Sequence, residues 1–120
     1  MKAAISTAKE TFHQFEENWK RADVDSYSIK LAMKTDTDGL EHIWFTPLKI
    51  EGDQITASCA NDPENIPGLR FGDVRVVDRA DISDWLIMER EKCYGGYTIR
   101  VLAEQDPASV PSLQFADYSQ

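Results

Sequence analysis

Long apolar runs are missing from this sequence. The longest, Trp85 to Met88, is four residues, far short of the ~18 that a membrane-spanning helix needs. No secretory leader is legible either, because Lys9 and Glu10 arrive before any apolar stretch of signal length. The two absences together give a cytoplasmic expectation with no membrane partner. Cysteine is scarce: Cys59 and Cys93 are the only two, too few for a disulfide framework and without the paired spacing of a structural zinc site. Histidine is equally scarce, with His13 and His42 far apart, so neither a metal nor a cofactor is expected. Positive charge is the last shortage. Lys and Arg number 13 against 21 Asp and Glu, the net charge is -8, and the sequence pI is about 4.6. The deficit is spread along both halves of the chain, and no basic cluster exists to displace counterions from a phosphate backbone. Nucleic acid is therefore not an expected partner, whereas a basic protein is a fitting one.

What is present is an ordinary globular composition, 42% hydrophobic and 28% charged over 120 residues, enough for one core. The reading places a single α+β domain at residues 1–104 and a loosely ordered tail at 105–120. Ala8, Phe12, Phe15 and Trp19 recur at helical spacing, with Thr7 and Glu10 as a candidate capping box at the start. From Ser26 the period changes to two. Tyr27, Ile29, Leu31 and Met33 alternate with polar residues, Asp36-Thr37-Asp38-Gly39 turns the chain, and a second strand covers about 41–45. Pro47 interrupts that strand and predicts an edge position, a bulge or a bend. A third strand follows at Ile55, Ala57 and Cys59, giving a meander over 26–60 whose buried face lies under the N-terminal helix. Val74 to Val77 and Ile82 to Met88 supply two more strands. Residues 97–104 read as strand or helix, with the weight on a short helix. The expected fold is thus an N-terminal amphipathic helix packed on a curved, mainly antiparallel sheet of about five strands, with barrel-like closure as one form of it, and a short C-terminal helix.

The segment from Asn61 to Arg100 holds most of the distinctive residues. Glu41-His42-Ile43-Trp44, Asn61-Asp62-Pro63, Gly68 to Asp73, Ile82-Ser83-Asp84-Trp85 and Gly95-Gly96-Tyr97-Thr98-Ile99-Arg100 occur in this order. Taken together they resemble the YegJ-like family of uncharacterised bacterial proteins, over roughly residues 8–104. The resemblance implies a small α+β domain and brings no activity, cofactor or catalytic residue with it.

Read by their chemistry, Asp84 and Arg100 suit a partly buried carboxylate to guanidinium pair that fixes two segments in register. Trp44 and Trp85 on one side of the sheet would form an aromatic wall that Gly95 and Gly96 let a backbone or ligand approach. The candidate binding set is Trp44, Asn61, Asp62, Arg70, Asp84, Trp85, Gly95, Gly96, Tyr97 and Arg100. No catalytic set is assigned. His42 with Glu41 or Asp84 could form an acid/base pair, but neighbours on a strand face opposite ways, so Glu41 and His42 cannot share a substrate. The Gly pair lacks the Lys-Ser/Thr of a phosphate loop. The function expected is a non-enzymatic protein-interaction module. Two alternatives stay open: an immunity or antitoxin-like protein masking a basic toxin, and a small enzyme or ligand-binding domain on the sheet face around Trp44, Trp85 and Arg100.

Overall fold

The computed structural model describes residues 1–110 and 113–118. The chain forms two compact units, one built from residues up to Tyr27 and from Asp84 onward, the other from Ser28–Ser83. It passes between them within strands β1 (Ser26–Lys34) and β5 (Ile82–Glu89).

The first unit opens on helix α1, Lys2–Asn18. Ala4, Ala8, Phe12, Phe15 and Trp19 are buried along one stripe, as the spacing requires. The Phe12, Phe15 and Trp19 rings stack in sequence, with centroids 5.3 and 5.9 Å apart, and Trp85 of β5 meets Phe15 edge-on at 6.0 Å. The predicted capping box is not used. The helix starts five residues earlier than Thr7, with Met1 as N-cap and no side-chain cap, and the Thr7 hydroxyl bonds back to Ala3 O at 2.9 Å inside the helix. Strand β5 pairs antiparallel with β6 (Lys92–Gly95) through a two-residue turn at Arg90 and Glu91. Both turn residues have positive φ, 50° and 70°, matching the right-handed strand twist. Helix α2 (Tyr97–Gln105) follows, so the helical alternative holds for this segment. Beyond it, β7 (Gln114–Ala116) pairs in parallel with β6.

The second unit is an antiparallel meander in the order β4-β3-β2-β1, with β2 at Leu40–Glu51, β3 at Gln54–Cys59 and β4 at Val74–Asp78. Its interior is Ile29, Leu31, Ile43, Phe45, Ile55, Ala57, Cys59 and Leu69, each at most 6% exposed. The odd positions of β1, of β3 and of β2 as far as Pro47 face inward, as the two-residue period dictates. Strand β2 is not an edge. It lies between β1 and β3 and tolerates Pro47 through a register shift between Pro47 and Lys49, the bulge that a missing donor forces.

Seven strands are present among the described residues, not about five, and neither set closes into a barrel. The two additions are the shortest elements, β6 and β7. Four residues around a Cys and three residues in a polar tail are too short for alternation to register.

Candidate functional site

Asp84 and Trp85 end the strand–helix joint that the distinctive motifs encode, and both are wholly buried. Asp84 Oδ1 accepts from the amides of Trp85 at 2.9 Å and Tyr97 at 3.1 Å. Its Oδ2 accepts from the Thr98 amide at 3.0 Å and the Thr98 hydroxyl at 2.6 Å. Tyr97 and Thr98 are the first residues of α2, whose leading amides have no partner within the helix. A carboxylate reaching over from β5 therefore does what an N-cap side chain usually does, at the positive end of the helix dipole. The actual N-cap position is Gly96, in the left-handed region at φ 61°, and has no side chain to offer. Burial raises the Asp84 pKa, against the pull of the Thr98, Trp85 and Tyr97 hydrogen bonds.

Gly95 is needed for a second reason. A Cβ there would collide with the Trp85 carbonyl and indole ring, because the backbone presses against that residue and the Gly96 amide bonds to Trp85 O at 2.6 Å. The Trp85 Nε1–H donates to Thr11 Oγ1 at 3.1 Å, so the ring is satisfied inside the core. The roles the geometry gives Asp84, Trp85, Gly95 and Gly96 are thus those of a structural joint.

Arg100 does not pair with Asp84. Its Nε donates to Gly95 O at 3.0 Å, its Nη2 to Ala116 O at 2.9 Å, and its Nη1 meets Asp117 Oδ1 at 3.0 Å. The guanidinium also lies over the rings of Tyr97 (4.7 Å) and Phe115 (5.3 Å). Arg100 and Tyr97 are half-buried. Nearby Cys93 is buried, and desolvation pushes its thiol up to about 11, against the pull of Arg100. It is a packed, unreactive thiol. Tyr118 stacks on Tyr94 at 4.1 Å and on Trp85 at 6.5 Å, and burial drives its phenol up to about 12.

Trp44, Asn61, Asp62 and Arg70 belong to the other unit. Asn61 Oδ1 accepts from the Trp44 amide at 2.7 Å, and the Lys30 ammonium sits 5.4 Å from the Trp44 ring centre. Glu41 accepts from the Glu64 and Asn65 amides, both at 2.9 Å, so this carboxylate pins the loop after Asn61 rather than serving His42. Asp62 and Arg70 are exposed, and the Arg70 amide donates to Asp73 Oδ2 at 3.0 Å. His42 Nδ1 lies 2.9 Å from Ser83 Oγ, a spacing seen in nucleophilic dyads. Ser83, however, is 2% exposed, so its hydroxyl is not presented to a substrate. Desolvation, then the charge of Lys30, lowers the His42 pKa below 6.5. Among the described residues, no three His, Cys, Asp or Glu side chains assemble a metal site.

The two motifs meeting at Asp84 and Thr98 are joined by the four hydrogen bonds that Asp84 accepts. The model of a family described as "Uncharacterized protein conserved in bacteria (DUF2314)" matches residues 1–108. The chain belongs to this family. It is 31% identical over 99 residues to the "Uncharacterized protein YegJ" of Escherichia coli K12, covering 82% of this chain and 64% of that protein. It is 30% identical over 111 residues to the "Putative ankyrin repeat protein NMB1133/NMB1171" of Neisseria meningitidis serogroup B, covering 85% of this chain and 44% of that protein. The chain therefore spans less than two thirds of the length of either relative. No solved structure matches it. No described helix is long and apolar enough to cross a membrane.

Residues outside the predicted set take part as well. Thr98, Phe115, Asp117 and Tyr118 complete the contacts of Asp84, Arg100 and Tyr94. Leu40, Phe71, Val74 and Val76 are 63, 66, 52 and 64% exposed. The first group joins segments distant in sequence, which no local pattern announces. The second gave no signal of exposure, since Val74 and Val76 alternating about Arg75 read as the buried face of a strand.

Proposed function

We propose that the chain is a non-enzymatic protein-interaction module that meets its partner through β4 and the residues flanking it. The observation that carries this reading is the exposure of Val74 and Val76, which lie two apart on one face of the strand that ends the order of its unit. Single exposed apolar residues need no explanation, but a β-branched pair on an edge strand is a surface proteins normally blunt. Val76 also lines an open groove of about 560 Å³ with Leu31, Met33 and Leu40, while Lys34, Asp78 and Asp81 supply its charges. Apolar floor and charged rim is the layout of a protein contact. The net charge of -8 favours a basic partner, in keeping with an immunity-like role. An enzyme on the sheet face finds less support, because Asp84, Trp85 and Ser83 are enclosed.

The test is affinity capture of partners from bacterial extract with the wild-type chain and with a Phe71→Ser, Val76→Lys variant. Exposed substitutions of this kind change stability by only about 0.5 kcal/mol, so the variant should melt with the wild type. It should lose the captured protein. Undiminished capture would defeat the assignment to β4.

A further inference from the structure

We propose that the edge of β6, with Arg100 and Tyr94, is a strand-accepting groove for a partner protein's extended segment of the pattern aromatic, small, acidic, aromatic, and that residues 115–118 of this chain fill it in cis. The occupant is visible. Phe115-Ala116-Asp117-Tyr118 enters along β6 with Cys93 opposite Phe115 and Tyr94 opposite Ala116. One guanidinium reads three features of it: Arg100 holds the Ala116 carbonyl, pairs with the Asp117 carboxylate, and covers the Phe115 ring. The last position is read by stacking of Tyr118 on Tyr94. Backbone pairing supplies affinity and the side-chain positions supply selectivity, as in strand addition to a sheet edge.

Two further observations separate groove from occupant. The groove, Lys92–Gly95 and Tyr97–Gln105, lies inside the family match, whereas residues 109–120 lie beyond it. The occupant also fits imperfectly. Among the described residues, the buried Tyr118 Oη has no hydrogen-bond partner. A buried hydroxyl without a partner opposes docking. A segment ending in Phe keeps the stacking and avoids that penalty, so a partner can compete with the tethered tail. The competitor must still exceed an effective concentration in the millimolar range. Loosening the tail therefore decides whether a free segment binds.

The experiment uses the full chain and a fluorescent peptide of residues 113–118 carrying Tyr118→Phe. Asp117→Ala with Tyr118→Ala in the protein should tighten peptide binding on the order of 100-fold over the wild type, read by anisotropy. Adding Arg100→Lys, which keeps the charge but loses the planar fork, should reverse most of that gain. A double variant with native circular dichroism that binds no more tightly than the wild type would overturn the proposal. Should the double variant not fold, the wild type is titrated by NMR instead. Amide signals of Phe115 to Asp117 should then move to free-tail positions as peptide reaches several millimolar, and unmoved signals overturn it. A wild-type dimer dissolved by the same peptide would assign the groove to the tail of a second copy and overturn the assignment to a partner.

Discussion

Asp84 and Thr98 are joined twice through one oxygen: Asp84 Oδ2 accepts from the Thr98 amide at 3.0 Å and from its hydroxyl at 2.6 Å. The contact spans 14 residues and ties β5 to the first turn of α2. A helix of nine residues is too short to hold its own first turn in water, so its start depends on being capped from outside. The cap also explains why an acidic residue is tolerated at a site with no exposure: its carboxylate accepts four hydrogen bonds.

Asp84→Asn tests the cap. The amide replaces one acceptor oxygen with a donor, leaving either the Thr98 or the Tyr97 amide without a partner, at a cost of about 1–3 kcal/mol in urea unfolding. The pH dependence gives the sign. Burial raises the folded-state pKa of Asp84 above 3.8, so its contribution to stability is fully present below 3.8 and is lost as pH rises through the folded value. The stability advantage of wild type over Asp84→Asn should accordingly be greater at pH 3 than at pH 7. A gap that widens toward neutral pH would mean that the four donors outweigh desolvation.

How much of this was readable in advance follows from the range of each interaction. The aromatic stripe of α1 and the β1–β3 meander are written in local periodicity, and they form as read, whereas residues 97–104 alternate as a strand does and leave strand and helix both open, with the weight on helix. The Pro47 bulge was legible too, but not the place of β2 between two neighbours, because strand order is a long-range property. The Asp84–Arg100 pair was a reasonable inference from residue type. It failed because α2 presents bare amides to Asp84, while Asp117, beyond the family's matched region, is available to Arg100. Trp85 looked like a surface anchor, yet its N–H finds Thr11 across 74 residues, which lets the ring be buried without loss.

His42 offers a second pH-dependent observable. Desolvation and the Lys30 charge lower its folded pKa below 6.5, so the stability it contributes is present above 6.5 and is lost as pH falls from there through the folded value. An NMR titration of the His42 ring should show a midpoint below 6.5, moving upward in Lys30→Gln. A midpoint unchanged by that substitution would remove Lys30 as a cause and leave desolvation alone.

Gly95 and Gly52 separate backbone conformation from close approach. Both have positive φ, 75° and 60°, so either one, replaced by Ala, bears the strain of a left-handed side chain, about 1 kcal/mol or somewhat more. Around Gly52 nothing lies within 4 Å of the added carbon, whereas at Gly95 it meets the Trp85 carbonyl and indole ring. That ring is fixed by Phe15 and by its bond to Thr11, so it has no soft direction in which to yield. Gly52→Ala should therefore fold and lose only the conformational term. Gly95→Ala should lose about 1–3 kcal/mol beyond that term, the usual cost of overpacking a core, or fail to fold. Equal losses at the two sites, measured by urea unfolding, would show that the Trp85 contact imposes no constraint beyond φ.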